Sequence, residues 1–184
     1  MANSPQLRTD RTLLRLAQPS DAVQLLEFFR AAGKRLEPPL PDALLTLEHW
    51  RQQSELWLKE QADGTSARLF VFTPDESEIL GSIGLIRITR GVRFDCSLSY
   101  ALRASHEGRG LMSEAVRAAL RHAFDDLGLH RVEALNTLDN QRSQRLLERL
   151  GFERVGIIRG FLRSAGGWRD TLLHSLTNPD WLPP

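Results

Sequence analysis

The sequence is poor in cysteine: Cys96 is the one thiol in 184 residues. A single Cys forms no internal disulfide, which excludes a disulfide-stapled secreted scaffold and fits a reducing compartment. An excess of charge of one sign is also missing. Lys and Arg number 24 against 23 Asp and Glu, a formal net charge of +1, and this removes any global electrostatic argument for DNA or an anionic membrane. No run approaches the ~20 apolar residues that a membrane span needs, and the N-terminal MANSPQLRTDR lacks the apolar core of a signal peptide. Repeats, low-complexity tracts and long linkers are absent. His49, His106, His122, His130 and His174 show no metal-ligand spacing. The expectation is a cytoplasmic protein with no metal, no membrane contact and no direct DNA binding.

What is present is an ordinary globular composition, 41% hydrophobic and 26% charged, with length for one domain, 1–184, and a sizeable core. Thr12–Leu16 reads as a strand, followed by a helix with Ser20 as N-cap and Val23, Leu26 and Phe29 on its apolar face. Gly33 to Pro41 reads as a loop, and a second helix runs from Thr46 to Gln61 on a 3.6-residue stripe. The pattern then turns to period two. Arg68–Thr73, Ile79–Thr89 and Cys96–Leu102 read as strands, with Gly81 and Gly84 marking a bulge or a close approach. Next come a helix over Leu111–Leu127, a strand over Val132–Leu138 and a helix over Gln141–Leu150. Strands over Phe152–Ile158 and Trp168–Thr177 close the chain around the turn at 165–167. Strands first, then strand–helix–strand–helix, predict an α+β fold: a mixed, mostly antiparallel sheet of about seven strands flanked by helices.

The most informative stretch runs from Ser105 to Glu114. A strand ends at Leu102, Gly108 and Gly110 bracket Arg109, and a helix starts at once. Such a loop can turn several backbone N–H groups toward an anion at the positive end of the helix dipole. The pattern fits neither a P-loop, which needs a Lys-Ser/Thr pair, nor a dinucleotide fingerprint, which needs a third Gly or Ala where Ser113 stands. The alternative is a tight left-handed turn with no ligand. Downstream, Asn140-Gln141-Arg142-Ser143 opens a helix that leaves through Leu150-Gly151-Phe152-Glu153. Asn140 reads either as an N-cap or as a ligand contact, and Ser143 as a first-turn residue or a functional hydroxyl. Arg142, Arg145 and Arg149 read as a solvated face or as a phosphate contact. Cys96 reads as a core thiol.

Gly110-Leu111-Met112, Leu129-His130-Arg131, Asn140-Gln141-Arg142-Ser143, Leu150-Gly151-Phe152-Glu153, Gly167-Trp168-Arg169-Asp170 and the end at 176–181 together resemble the GNAT N-acetyltransferase superfamily. The likeness covers nearly the whole chain and falls in the RimJ/RimL branch, nearest its RimJ side. It implies the GNAT three-layer fold and acetyl-CoA as co-substrate. It also implies that Gly108, Arg109, Gly110, Leu111, Met112 and Ser113 hold the pyrophosphate, that Tyr100 and Leu102 pair by backbone with the pantetheine arm, and that Asn140 contacts that arm from the other side. Ser143 matches the residue proposed as general acid toward the CoA thiolate. The chain departs from the pattern at Ser105, where the loop usually opens on Gln or Arg, and at Ser97, where a carboxylate often stands. Leu162 and Gly160 occupy the positions of acids found in relatives, and Pro39 replaces the Trp of a Leu-x-Pro-Trp segment.

Those departures leave no carried-over general base; Asp95 and Asp170 are the candidates. An α-amine, with a pKa of ~7.7–8.0, is far more often neutral at pH 7 than a lysine at ~10.4, so a missing carboxylate favours an α-amine acceptor. Three readings follow: acetylation of the N-terminal alanine of a ribosomal protein, acetylation of a small amine (an amino acid, polyamine or antibiotic), or a non-catalytic acetyl-CoA-binding ribosome-assembly factor. Transfer would be direct in a ternary complex, with a backbone N–H near Tyr100 at the oxyanion and no covalent enzyme intermediate. A monomer or a homodimer is expected.

Overall fold

The computed structural model describes residues 5–32, 36, 40–164 and 166–183. Eight strands form one sheet: β1 (Gln6–Arg8), β2 (Leu13–Leu16), β3 (Ala67–Phe72), β4 (Ile79–Thr89), β5 (Asp95–Leu102), β6 (Arg131–Thr137), β7 (Glu153–Ser164) and β8 (Gly167–Thr177). Their order is β1-β2-β3-β4-β5-β6-β8-β7, antiparallel throughout except for the parallel β5–β6 pair. Four helices cover it: α1 (Ala22–Ala32), α2 (Leu47–Ala62), α3 (Leu111–Arg121) and α4 (Gln141–Arg149). The expected mixed sheet flanked by helices is therefore present, with the short edge strand β1 added to the seven expected.

Alternation along β3 shows why both faces must be covered. Leu69 and Val71 join the core beneath α3 and α4, while Phe70 and Phe72 join the core beneath α1 and α2. Successive strand residues point to opposite faces, so a strand apolar at nearly every position calls for three layers. The α1–α2 layer is aromatic: Phe29 stacks on Trp50 at 3.9 Å, and Trp57 meets Phe70 at 5.2 Å between ring centroids.

Several local expectations are corrected. A short 3₁₀ turn, Pro19–Asp21, precedes α1, and the Asp21 carboxylate accepts from the Gln18 N–H at 2.7 Å, so Ser20 is not the cap. Val23 is 55% exposed and the buried face of α1 is Ala22, Leu25, Leu26, Phe28 and Ala32. Gly81 and Gly84 both serve close approach, and Gly81 also borders the register shift between Val71↔Gly81 and Phe72↔Ile79. A Cβ on Gly81 would lie 2.6 Å from the Ala101 carbonyl oxygen, and one on Gly84 2.6 Å from Ser99 Oγ. α3 ends in a π-type turn, in which the Leu127 N–H donates to the His122 carbonyl at 3.0 Å. Trp168, opposite Arg163, is 69% exposed. Among the described residues, no helix is long and apolar enough to cross a membrane.

Candidate active site

The sheet opens where β5 and β6 part. Their parallel ladder runs from Asp95↔Arg131 to Leu98↔Ala134 and stops, although β5 continues to Leu102 and β6 to Thr137. On its other edge β5 stays paired with β4 up to Gly81↔Leu102. The Arg103 N–H donates to the Leu80 carbonyl at 2.8 Å, and the Ala101 carbonyl crowds Gly81, so odd-numbered residues turn their peptide groups to β4. The Phe94 carbonyl accepts from the His130 N–H across the other edge. By the two-residue period, Tyr100 and Leu102 therefore aim their N–H and C=O into the gap, where no strand meets them. An unpaired strand edge is a template for one more extended segment.

At the mouth of that gap stands the start of α3. Gly108 and Gly110 have φ of +76° and +79°, torsions closed to ordinary side chains, and Gly110 is the N-cap residue. No side chain caps this helix, whereas Thr46 caps α2 and Asn140 caps α4. The first intrahelical donor is the Glu114 N–H, to the Gly110 carbonyl at 3.1 Å. The N–H groups of Leu111, Met112 and Ser113 thus have no partner within the helix and point out of its positive end. This uncapped start fits a phosphate-bearing ligand. Two ties hold the loop in shape. Arg11 Nη1 donates to the Arg109 carbonyl at 2.9 Å while its Nε and backbone N–H reach Glu114, and Arg142 of α4 pairs with Glu107. Arg103, just after the end of β5, donates from Nε to the Ile79 carbonyl at 2.7 Å.

Across the gap, Tyr100 Oη and Ser143 Oγ are hydrogen-bonded at 2.6 Å. Asn136, on β6 and 6% exposed, donates from Nδ2 to the same serine oxygen at 3.4 Å. The Asn140 side chain accepts from the Ser143 N–H at 3.0 Å, which fixes the first turn of α4. Burial raises the Tyr100 phenol pKa, against the lowering effect of its bond to Ser143. The phenol therefore keeps its proton at neutral pH. The sequence pointed to Ser143 and to the Tyr100 backbone. It did not point to the Tyr100 hydroxyl, Asn136 or Arg11.

Neither candidate carboxylate is brought against this pair. Asp95 is 5% exposed, paired with Arg93, and sits at the closed end of the β5–β6 ladder. It lies five residues up β5 from Tyr100, about 16 Å at strand rise. Asp170 Oδ1 accepts from the Gly160 N–H at 2.8 Å and so holds the β7–β8 irregularity. Cys96 is 2% exposed, and burial, with Asp95 and Glu133 adding to it, pushes its thiol pKa up to about 12. Among the described residues no His/Cys/Asp/Glu group could hold a metal ion. Of the segment 35–39, in which Pro39 replaces the Trp, only Leu36 is among the described residues.

A sheet split between parallel strands, an uncapped glycine-led helix beside the split and a hydroxyl pair across it define an acyl-transfer architecture. The chain belongs to the GNAT acetyltransferase family, whose domain model, "Acetyltransferase (GNAT) domain", matches residues 11–153. Within that family it is similar to the [ribosomal protein uS5]-alanine N-acetyltransferase of Escherichia coli, at 34% identity over 99% of this chain and 96% of that enzyme. The crystal structure of the ribosomal-protein-S5-alanine acetyltransferase from Vibrio fischeri superposes with a TM-score of 0.91 at 28% identity, covering 97% of this chain and 100% of that one. The fold is shared as well by Mycobacterium smegmatis RimJ, solved with CoA-disulfide, at a TM-score of 0.85 and 24% identity over 98% of this chain and 89% of that one.

Proposed function

We propose that this enzyme transfers the acetyl group of acetyl-CoA to the N-terminal alanine α-amine of a ribosomal protein. The observation that carries the reading is the Tyr100–Ser143 hydroxyl pair, set across an open strand edge beside an uncapped helix start. The full-length similarity to alanine N-acetyltransferases supports the acceptor. Acetyl-CoA supplies the thioester carbonyl that the amine attacks and the thiolate that leaves.

The chain's own groups divide the work. The N–H groups of Leu111, Met112 and Ser113, with Gly108, Arg109 and Gly110, bind the pyrophosphate without a lysine. The peptide groups of Tyr100 and Leu102 hold the pantetheine arm as an added strand, and the Tyr100 N–H stabilises the oxyanion. Asn140 caps α4 and so sets Ser143 in place. Ser143 Oγ accepts from Asn136; with Tyr100 as the donor in their shared bond, the serine keeps its own proton to give toward the departing sulfur. The buried thiol of Cys96 takes no part.

The test is CoA release from acetyl-CoA over a panel of Ala- and Ser-starting peptides, lysine peptides, polyamines and aminoglycosides. Turnover with Ala-starting peptides is expected. Turnover confined to small amines would overturn the acceptor reading, and tight acetyl-CoA binding with no turnover would overturn catalysis itself.

A further inference from the structure

The net charge of +1 conceals a strong segregation. Residues 141–169 hold seven arginines and two glutamates, a net +5, while the other 17 basic and 21 acidic residues sum to −4. Two of the seven arginines are engaged, Arg142 with Glu107 and Arg169 with Asp139. Arg145, Arg149, Arg154, Arg159 and Arg163 are exposed, and among the described residues none of them meets a carboxylate within ion-pair distance.

Register places much of this charge on one side of the sheet. Arg154 lies opposite His174, Ile157 opposite Leu172 and Arg163 opposite Trp168, and directly opposed residues share a face. His174 and Leu172 in turn oppose Ala134 and Asn136, the face that α4 covers through Ser143. Arg154, Arg163 and the exposed indole of Trp168 therefore continue the surface of Arg145 and Arg149 on α4. Arg154 and Arg163 stand opposite His174 and Trp168, six residues apart on β8, a span of about 20 Å. β7 is also a long edge strand, and charge on such an edge guards against pairing with another copy. An extended band of unpaired arginines with an exposed Trp has the chemistry of a surface for a flexible polyanion that carries aromatic bases.

We propose that the α4–β7–β8 face docks RNA, with the arginines on phosphates and Trp168 stacked on a base. The choice of RNA over other polyanions rests on the reading of a ribosomal acceptor; the polyanion itself rests on the charge alone. Docking here would bring an N-terminal tail that emerges beside RNA to the Tyr100–Ser143 end of the same α4.

The experiment measures fluorescence anisotropy of a labelled single-stranded RNA oligonucleotide against the full-length enzyme across a salt series. Four phosphate contacts, Arg145, Arg149, Arg154 and Arg163, predict a slope of log K against log salt near −2.8, a loss of about 50-fold between 50 and 200 mM. The double variant Arg154→Glu, Arg163→Glu should flatten the slope by about 1.4 and lower affinity more than tenfold. Trp168→Ala should lower it about tenfold. Arg51→Glu, on exposed α2, should change neither. All variants should keep Ala-peptide acetylation within about twofold, which separates docking from folding and from the acceptor reading. Equal losses in Arg51→Glu, full displacement of RNA by CoA or 3′,5′-ADP, or equally tight binding of a poly-glutamate peptide would overturn the proposal. Firm RNA binding with no peptide acetylation would keep the surface and overturn only the acceptor.

Discussion

Substitution of Tyr100 by Phe removes one oxygen from the gap and keeps the ring. Its consequence can be worked from the 2.6 Å contact with Ser143. A serine hydroxyl is about as weak an acid as water, far weaker than a thiol with a pKa of ~8.5. Complete proton transfer from Ser143 alone to a thiolate would thus be uphill by roughly 7 pH units, or about 10 kcal/mol. A phenol behind the serine, with an ordinary pKa of ~10 that burial raises, reduces the gap to a few kcal/mol. In the proposed relay the proton passes from Ser143 to sulfur as the phenol refills Ser143, and solvent refills the phenol later. General acids contribute about 10²–10⁴ in rate.

Ser143→Ala and Tyr100→Phe should therefore each lower kcat about 100-fold. Because both act on one proton, the double variant should be no more than a few-fold worse than either single one. KM for acetyl-CoA should move less than about threefold, since the hydroxyls act on the leaving sulfur and the peptide groups do the binding. The lost hydrogen bond in Tyr100→Phe costs about 1 kcal/mol of stability, a Tm drop of about 2–4 °C that leaves the enzyme folded at assay temperature. Steady-state CoA release with an Ala-starting peptide reads all of this. Losses that multiply in the double variant, or a raised KM with kcat unchanged, would refute the relay.

Gly110→Val should weaken acetyl-CoA binding more than tenfold by calorimetry. It places a β-branched residue at φ +79°, and its Cβ would meet Arg11 Nη2 at 3.5 Å; unchanged affinity would refute the phosphate loop. His174 is 1% exposed, and burial lowers its pKa below 6.5, with Arg154 assisting and Glu148 opposing. The unfolded chain then takes up this proton first, so the contribution of His174 is present above pH ~6.5 and is lost as pH falls below it. The Tm of the native enzyme should fall more steeply between pH 7.5 and 5.5 than that of His174→Gln, and equal slopes in thermal melts would show that another group governs the acid limb.

Much of the fold is legible because local chemistry agrees with the tertiary outcome. β4 has the expected bounds, Ile79–Thr89, since its apolar run is fenced by Pro74–Ser77 on one side and Gly91 on the other. β1 escapes notice because Gln6-Leu7-Arg8 offers one apolar residue and gains its identity only by pairing with Leu13–Arg15. β7 runs six residues past its expected end, because Arg159 and Gly160 break the period, while Asp170 accepts the Gly160 N–H and the ladder resumes at Leu162↔Arg169. At the site, Gly108, Gly110, Asn140 and Ser143 are readable because they stand at helix starts, where spacing carries meaning. Arg11 and Asn136 act through contacts that spacing does not encode. Arg11 reaches a carbonyl 98 residues away, and Asn136 looks like any polar residue on a strand until α4 is laid over it.

Asp95 is placed away from the Tyr100–Ser143 pair, and among the described residues no carboxylate stands there. An acceptor amine that arrives neutral needs no base at that pair. At pH 7 about a tenth of α-amines are neutral, against about one lysine in several thousand, a ratio of roughly 300-fold. A site that only positions its acceptor and serves the leaving group therefore prefers a chain terminus to a side chain before any contact is counted. A base strong enough to deprotonate lysine would erase that preference. For the proposed protein acceptor, a site without such a base would favour the chain terminus over lysine side chains at no cost in binding surface.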